Sequence, residues 1–522
     1  MAQGYLVFLL HAHLPFVRHP EYDTFLEENW LFEAISETYL PLLRMIERLD
    51  DERVPFKFGI SISPTLLAML GDELLSERYI RHLTMLLELA DKEVERTRGD
   101  DQFHPLAVMY KELFSQNLED FTDKYSKNIL KGFDYFYKRG RVELLTTPAT
   151  HPYLPLYDQY PENTRAQTQV AVDSHSAVFG KAPKGMWLPE CGYAPGLEEN
   201  LKDAGIDYFL LAEHGILFAE NKPKAGVYAP IECPNSVRAF ARDHASASMV
   251  WSADEGYPSD FVYRDFYRDI GFDLPLDYIG PYIHDNEIRI HTGFKYYAIT
   301  GKTETKRPYR PHVARRKAAE HAENFLYHQL NQLDRLEPLM DRPPVITCLY
   351  DAELFGHWWF EGPIWIEHLI RQIADSDGRL AMTTPSSYLK KYDSFQVTTP
   401  SFSSWGSKGY SEVWLDGKND WIYRHTHKVI ERMCELVDRF PDESGLKERA
   451  LNQAAREVLL SQASDWPFIM RAGTTVPYAV KRVREHVHNF TVIYDALSRG
   501  NVGTEWLTTL ERKNNLFPDI DY

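Results

Sequence analysis

The apolar run Tyr5-Leu-Val-Phe-Leu-Leu10 is followed directly by the polar motif His11-Ala-His13-Leu-Pro15. A short, continuous apolar run is typical of a strand that is buried on both faces of a parallel sheet. Further runs of this kind also end abruptly in polar residues, and they cover residues 56–62, 142–147, 185–189, 208–212, 345–349 and 379–382. The repeated pattern predicts parallel strands that carry polar, functional side chains at their ends.

Helical patterns lie between many of these runs, for example over residues 30–49 and 196–204. Strands and helices in alternation favour an α/β fold built as a βα barrel. In such barrels the functional residues follow the C-terminal ends of the strands, which is where the His, Glu and Asp candidates fall.

Three regions depart from this alternation. Residues 80–140 are helical and charged without a strand pattern, which predicts a helical insertion. After about residue 415, amphipathic patterns over 421–440, 447–464 and 477–497 predict a C-terminal helical domain. The segment 226–273 combines turn residues with many aromatics, and a connection this long predicts a lid or a binding loop.

The composition excludes some classes of partner. The 58 Lys and Arg residues against 76 Asp and Glu give a net charge of −18, which argues against nucleic acid and against an anionic membrane surface. Aromatic residues make up 13% of the chain, enough to fill a core and also to provide flat stacking surfaces. Composition alone does not divide them between these two roles.

Cysteines and the N-terminus indicate the compartment. Only four cysteines occur, without a CxxC pair, which indicates a reducing environment rather than a disulfide framework. The apolar run at 5–10 is far shorter than the ~20 residues of a bilayer span, and no basic segment of a signal peptide precedes it. We therefore expect a soluble, cytoplasmic protein.

Several familiar motifs are missing from the sequence. It contains neither GxGxxG nor GxxxxGK[ST], the usual nucleotide cradles, and neither HExxH nor GxSxG. His486 and His488 fall on a predicted helix, where their spacing indicates a solvated surface. His11 and His13, by contrast, project to one side of a strand. They could be half of a metal site, two donors for a polar ligand, or a structural pair, and their position favours ligand contact.

Two carboxylates stand out. Glu190 follows an apolar, Trp-containing run, and Asp351 follows another and precedes large apolar residues. Desolvation among such groups raises a carboxyl pKa, as a general acid requires, and two carboxyls at one barrel edge suffice for glycoside cleavage. Glu353 and Glu361 compete with Asp351 for the role of the second carboxyl. Tryptophans near these sites, above all Trp405, could stack on sugar rings.

Five motifs together resemble a known family. They are HAHLP from His11, WLPECGY around Glu190, LYDAELFGHWWFEGP around Asp351, SSWGSKGYSEVWL and SDWPF. This chain resembles glycoside hydrolase family 57, and within it the 1,4-α-glucan branching enzyme group. The resemblance extends from His11 to beyond Trp466 and therefore covers nearly the whole chain.

The resemblance implies a domain organisation. It implies an incomplete (β/α)7 barrel formed by residues 1–80 and 141–400, a helical insertion at 81–140, and an all-helical C-terminal domain at 401–522. It also implies a retaining mechanism that needs no metal and no cofactor. A retaining pair of carboxyl groups is expected about 5–5.5 Å apart.

The resemblance also implies roles for individual residues. Glu190 would be the nucleophile and Asp351 the general acid/base. His11, His13, Trp30 and His151 would line the donor site, and Trp405, Trp414 and Trp466 would hold the glucan chain. Further predicted substrate contacts are Tyr257, Arg264, Trp359 and Asp465, with Tyr257 or Trp251 covering the intermediate from the 226–273 segment.

The predicted function is branching of an α-1,4-glucan, such as amylose or a glycogen-like polymer, in glycogen synthesis by a monomer or weak homo-oligomer. An α-amylase or a 4-α-glucanotransferase of the same family is the alternative. A metal-dependent carbohydrate deacetylase built on His11, His13 and Asp351 or His151 is an alternative from another class, and a non-catalytic glucan-binding module is a third.

Overall fold

The computed structural model describes residues 2–252, 255–284 and 287–522. Residues 253 and 254 of the predicted lid segment lie outside the described residues. In the described part of the chain the strands are β1 Gly4–Ala12, β2 Phe58–Ile62, β3 Val142–Leu145, β4 Gly185–Met186, β5 Tyr208–Leu211, β6 Ile231–Glu232, β7 Arg238–Ala241, β8 Val345–Asp351 and β9 Leu380–Thr383.

The helices of the N-terminal 400 residues alternate with these strands or form insertions between them. They are α1 Asn29–Ala34, α2 Leu40–Asp51, α3 Pro64–Leu70, α4 Glu73–Arg96, α5 His104–Glu119, α6 Leu130–Lys138, α7 Pro161–Phe179, α8 Leu197–Asp203, α9 Glu213–Leu217, α10 His244–Trp251, α11 Ile270–Asp273, α12 Leu276–Ile279, α13 Pro311–Leu336, α14 Gly362–Ala374 and α15 Pro385–Leu389. The C-terminal region adds α16 Tyr423–Arg439, α17 Leu446–Leu460, α18 Asp465–Ala472, α19 Val476–Arg499 and α20 Thr504–Lys513.

The strands form two sheets. The first has the order β3-β2-β1-β8, with β9 paired to the N-terminal half of β1, and all its pairs are parallel. The second has the order β4-β5-β7-β6, in which only β6 runs antiparallel to its neighbour. The α/β class with a parallel sheet is therefore confirmed.

Backbone hydrogen bonds connect the two sheets at both ends. Between β3 and β4, the Trp187 N–H donates to the Thr146 carbonyl at 2.8 Å. Between β7 and β8, the Asp243 N–H donates to the Thr347 carbonyl, also at 2.8 Å. β3 therefore lies beside β4, and β7, which also pairs with β6, lies beside β8.

Side chains alternate between two hydrophobic clusters along β1. Leu6, Phe8 and Leu10 pack outward against the surrounding helices. Tyr5, Val7 and Leu9 point the other way, into a cluster whose other members come from several strands and their C-terminal connections: Leu145, Trp187, Cys191, Tyr208, Leu210, Ala212, Phe240, Val345, Leu349 and Tyr388. Because every second residue enters this shared interior, β1 is buried on both faces, which accounts for its continuous apolar sequence.

All seven apolar runs read as strands are strands in the structure, and the predicted helices over 421–440, 447–464 and 477–497 correspond to α16, α17 and α19. The segment 226–273 is corrected in part, because it contains β6 and β7, whose pairing with β5 makes them part of the sheet. Each of these strands contains a charged residue, Glu232 in β6 and Arg238 in β7, so neither forms a continuous apolar run.

His486 is a second correction. The sequence indicated a solvated helix surface, but the structure buries this side chain completely. Its Nδ1 lies 2.7 Å from a carboxylate oxygen of Glu457, a buried hub that also accepts hydrogen bonds from Gln453, Asn489 and Asn514. The polar partners come from α17, α19 and the C-terminal tail, so only the tertiary structure brings them together.

The predicted helix at 30–49 is present but interrupted. Between α1 and α2, residues Ile35–Tyr39 form a π-helical turn. Such a turn inserts one residue into the helix and redirects the side chains around it, and it often occurs at functional sites. Here the turn carries Glu37 and Tyr39, both of which bind residues of the loop after β8.

Within residues 2–252, 255–284 and 287–522, helices that combine the length and the apolar character needed to cross a bilayer are absent.

Candidate active site

The C-terminal ends of β1 and β8 bring the first two candidate residues together. His11 and Asp351 are register partners on these adjacent parallel strands. Both therefore lie at the same edge, where the loops that follow the strands converge. The predicted position of these two side chains, at the C-terminal ends of parallel strands, is confirmed.

Glu190 lies in a tight turn just after β4. The turn spans Pro189–Cys191, and Glu190 adopts a left-handed backbone conformation with φ of 62° and ψ of 18°. Cys191 and His151 also have positive φ angles, of 49° and 58°. Non-glycine residues in this region are strained by about 1–3 kcal/mol and concentrate at active sites. The strain is maintained by contacts that hold Glu190 in place.

Both oxygens of the Glu190 carboxylate accept hydrogen bonds. The Trp405 indole N–H donates to Oε2 at 2.9 Å, and the Ser464 hydroxyl donates to Oε1, also at 2.9 Å. The Trp405 backbone N–H additionally donates to the Glu190 carbonyl at 2.9 Å. Two residues from distant parts of the sequence thus define the plane of this carboxylate.

Two buried histidines continue the hydrogen-bonded chain beyond Ser464. His151 Nδ1 lies 2.8 Å from Ser464 Oγ, and His151 Nε2 lies 2.9 Å from His11 Nε2. The His11 ring also stacks on the Trp187 indole, with ring centroids 4.8 Å apart and planes inclined by 15°. Burial, followed by the proximity of other histidines, lowers the pKa of both His11 and His151 well below its ordinary value, so both rings are neutral.

His13 is held from two sides. Its Nδ1 lies 2.9 Å from Ser63 Oγ, and its Nε2 lies 3.0 Å from Asp465 Oδ2. Ser63 also caps the N-terminus of α3 by accepting from the Leu66 N–H. The side chain therefore connects the first strand, the third helix and the C-terminal helical region.

Asp351 and Glu190 differ in proton affinity. Withdrawal from water raises the pKa of Asp351 well above its ordinary value, and the negative charges of Glu353 and Glu190 raise it further. Withdrawal from water also raises the pKa of Glu190, but the donors Trp405 and Ser464 oppose that rise. Burial and two neighbouring negative charges therefore favour the protonated form of Asp351, while the two donated hydrogen bonds favour the ionised form of Glu190.

The competing carboxylates Glu353 and Glu361 have partners of their own. The Tyr39 hydroxyl donates to Glu353 at 2.5 Å, and the Tyr309 hydroxyl donates to Glu361 at 2.6 Å. Glu361 is also fully buried. Glu353 acts on Asp351 through its charge, whereas Glu361 belongs to a separate polar group around Arg264.

A metal ion has one possible donor set here. One ligand atom each from His13, His151 and Asp465 lie within 4.8 Å of one another. However, the two imidazole rings stack face to face, with centroids 3.7 Å apart and planes inclined by 12°. Lone pairs in two parallel rings run side by side instead of converging on one point, so we assign these side chains to hydrogen bonding and not to metal ligation.

Three of the predicted glucan contacts are corrected by burial. Trp359 and Trp466 are 1% and 0% exposed, and Trp414 is 1% exposed with its face covered by the Tyr153 ring at 4.4 Å. A tryptophan can stack on a sugar only through an open face. Trp359 and Trp466 are core residues, and Trp414 packs against the equally buried Tyr153.

Two other predicted contacts also have structural roles. Arg264 is buried and pairs with Glu37 of the π-helical turn at 3.3 Å, while its guanidinium lies over the Phe360 ring. The Tyr257 hydroxyl donates to Asn324 on α13 at 2.7 Å, and its ring stacks on His321 of the same helix. Arg264 fixes the long connection to the π-helical turn, and Tyr257 packs on α13.

Two further predicted residues, Trp30 and Trp251, keep part of their surface exposed. Trp30 is half-buried where the N-terminal region meets the C-terminal helices, with its ring edge-on to Tyr478 at 5.9 Å. Trp251, at the end of α10, is 41% exposed. Both keep open surface, so their assignment to substrate remains a prediction.

Sequence reasoning missed four residues that shape the site. These are Tyr39, Ser63, Trp187 as the ring behind His11, and Ser464. Serines and tyrosines are common at helix caps and in cores, so their type alone carries no signal. Ser464 had one available clue, because it immediately precedes Asp465 in the SDWPF motif.

A parallel α/β edge that carries two carboxyl groups of unequal proton affinity is an arrangement typical of glycoside hydrolases. Sequence comparison gives the family itself: the chain belongs to glycosyl hydrolase family 57, whose sequence model matches residues 7–400. A second model, described as the C-terminal region of 1,4-α-glucan branching enzyme, matches residues 425–522.

Individual relatives span the whole chain. A 1,4-α-glucan branching enzyme of Thermococcus kodakarensis is 31% identical over an alignment of 556 positions. The alignment covers 99% of this chain and 78% of that protein. A solved structure described as the novel α-amylase AmyC of Thermotoga maritima is 44% identical with a TM-score of 0.94, covering 99% of this chain and 98% of the other. The branching enzyme structure of Pyrococcus horikoshii is 30% identical with a TM-score of 0.88, covering 99% and 96%.

Proposed function

We propose that this protein is a 1,4-α-glucan branching enzyme that works by a retaining double displacement. The observation that carries the proposal is the origin of the site residues. Glu190 and Asp351 lie in the part that matches the hydrolase family, while Ser464 and Asp465 lie within residues 425–522, which match the C-terminal region of branching enzymes. A C-terminal region that directly completes the site is expected to influence the choice of acceptor.

The mechanism follows from the unequal proton affinities. Protonated Asp351 donates its proton to the glycosidic oxygen while the Glu190 carboxylate attacks the anomeric carbon. The glycosidic bond breaks, the part of the glucan that carries this oxygen leaves, and a glycosyl-enzyme forms. Asp351, now ionised, then removes the proton from a C6 hydroxyl of an acceptor glucan. The new bond is an α-1,6 branch, and Glu190 is released as a carboxylate.

We also propose that the two sheets are arcs of one incomplete seven-stranded barrel, made of β1, β2, β3, β4, β5, β7 and β8. The hydrogen bonds from Trp187 to Thr146 and from Asp243 to Thr347 support this closure, as does the shared interior cluster. The domain boundaries proposed are 1–80 with 141–400, 81–140, and 401–522.

We propose a neutral α-1,4-glucan as the only polymeric partner, in glycogen synthesis in the cytoplasm, and a monomer or weak homo-oligomer. Four free cysteines, three of them buried, support a reducing compartment. The net charge of −18 favours a partner without phosphates.

A product assay on amylose tests the function. Branching predicts new α-1,6 linkages, measured by proton NMR and by release of short chains with a debranching enzyme, with little gain in reducing ends. Glu190→Gln and Asp351→Asn are each expected to lower the rate by about 10³-fold or more, because each removes a group that acts only in the transition state.

The α-amylase alternative is favoured by the Thermotoga maritima structure at 44% identity. It predicts short reducing sugars without α-1,6 linkages, which would contradict the branching proposal. Redistributed chain lengths without new branches would instead indicate a 4-α-glucanotransferase. Activity that survives a chelator counts against the deacetylase alternative, and unchanged behaviour of both carboxyl variants would indicate a binding module.

A further inference from the structure

Ser464 occupies the junction between α17 and α18, far in sequence from the residues that it contacts. It is 1% exposed, and its backbone N–H donates to the His151 carbonyl at 2.8 Å. Its hydroxyl lies between the Glu190 carboxylate at 2.9 Å and His151 Nδ1 at 2.8 Å. This side chain is the connection between the candidate nucleophile and the buried histidines.

The donors and acceptors in this chain can be assigned from its chemistry. An ionised carboxylate has no proton to give, so the single Ser464 hydroxyl proton must point to Glu190. Ser464 Oγ then accepts from His151, which fixes the proton of that ring on Nδ1. A neutral His151 has no proton left for Nε2, so His11 Nε2–H must donate to it.

The end of the chain agrees with this assignment. His11 Nδ1 is buried without a hydrogen-bond partner in the described structure. In the assigned direction it is an unprotonated acceptor, whereas the reverse direction would leave a buried N–H there without an acceptor. Orphaned buried donors are rarer than under-satisfied acceptors. All hydrogen bonds therefore point from His11 through His151 and Ser464 towards Glu190, and bonds so aligned polarise one another.

We propose that Ser464 is a positioning residue for the nucleophile: through the chain His11–His151–Ser464 it keeps Glu190 ionised and, together with Trp405, fixes the plane of its carboxylate. The inference rests on the proposed glycosidase chemistry and deepens it. It makes the C-terminal helical region part of the catalytic apparatus and not only a wall of the cleft.

Other charged groups also face Glu190. The negative charge of Asp465 raises the pKa of Glu190 and the neighbouring His13 lowers it, while the charge of Glu190 raises the pKa of Asp351. Arg242 lies over the Trp405 ring at 5.6 Å. Burial raises the pKa of Tyr153, and the charge of Glu190 raises it further. A change at Ser464 leaves all of these in place, so its effect on Glu190 can be isolated.

The test compares Ser464→Ala, Ser464→Cys and Ser464→Thr with the unchanged enzyme on amylose. Loss of a hydrogen bond to a charged group is expected to lower kcat about 10- to 100-fold in the alanine variant, with KM changed by less than about 3-fold. Because Glu190 then loses a donor to its ionised form, the acid limb of kcat/KM moves to higher pH. Threonine keeps the hydroxyl and is expected to stay within about 3-fold of the unchanged enzyme, with the weak donor cysteine between threonine and alanine.

Ser461→Ala is the matched control. Ser461 is equally buried, three residues earlier, and its hydroxyl donates to the Val458 carbonyl of its own helix at 2.7 Å. It is expected to leave kcat and the acid limb unchanged. Thermal unfolding of every variant shows whether the fold survives.

Two outcomes would overturn the inference. One is a Ser464→Ala enzyme with the kcat and acid limb of the unchanged protein. The other is an equal loss in Ser464→Ala and Ser461→Ala that follows the loss of thermal stability, which would indicate a structural role. An unchanged protein that is inactive on every α-glucan would instead contradict the proposed function itself.

Discussion

At the scale of single residues, Glu353 is predicted to set the pH range of Asp351. Its negative charge is the largest cause, after withdrawal from water, that raises the pKa of Asp351. Asp351 must be protonated to act as the acid, so activity falls as the pH rises through its pKa. Glu353→Gln removes the charge and lowers that pKa. We expect the basic limb of kcat/KM to move to lower pH, measured over a full pH profile.

Glu361→Gln provides the matched control for this prediction. Glu361 is a buried glutamate of the same loop, bound to the Tyr309 hydroxyl and to the Arg264 backbone N–H. Glu361 does not contribute to the raised pKa of Asp351. The Glu361→Gln variant should therefore keep the basic limb of the unchanged enzyme. Equal displacement of the limb in both variants would refute the special role of Glu353.

At the scale of elements, the π-helical turn and the loop after β8 depend on one glycine. Gly356 has a φ of +111°, and a Cβ added there would lie 1.8 Å from the Glu37 carbonyl oxygen. The backbones of the turn and the loop therefore touch at this point. The loop carries Glu353, and the turn carries the Tyr39 hydroxyl that binds it.

Gly356→Ala is expected to destabilise the protein by about 3 kcal/mol or more, because the side chain clashes with rigid backbone in a conformation that it disfavours. Denaturant unfolding measures this change. Gly378→Ala is the control, since Gly378 also has a positive φ, of +76°, but open space around it; a loss of only about 1 kcal/mol is expected there. Similar losses in both variants would contradict the close approach.

The elements themselves were largely predictable from the sequence, and the exceptions have physical reasons. Long, doubly buried strands such as β1 and amphipathic helices such as α16 leave a strong hydrophobic pattern. The strands β6 and β7 each contain a charged residue, so they leave no continuous apolar run and the sequence predicts only a lid or binding loop there. The π-helical turn Ile35–Tyr39 leaves no pattern either, because the helical period continues on both sides of it.

At the scale of the whole molecule, the charge of −18 and the proposed neutral substrate lead to a prediction about salt. A polymer without phosphates releases no counterions when it binds. We expect KM for amylose to change by less than about two-fold between about 50 and about 500 mM NaCl. A steep rise of KM with salt, measured at fixed pH, would show that charged contacts dominate substrate binding.

At the same scale, the C-terminal helices contribute side chains to the candidate site. They have their own hydrophobic cluster, yet they deliver Ser464 to Glu190 and Asp465 to His13. More than 270 positions separate Ser464 from Glu190 along the chain. A site assembled in this way requires both regions to be folded and in contact.

The sequence by itself determined the α/β class and the family and predicted the two carboxylates, because apolar periodicity and short motifs are local properties that survive in the linear order of residues. The tertiary structure alone decided which aromatics are free to meet substrate, that Trp359 and Trp466 are core residues, and that Arg264 anchors a loop. It alone joined Ser464, His151 and His11 to Glu190. Burial and hydrogen-bond direction depend on contacts between residues hundreds of positions apart, and no local pattern records them.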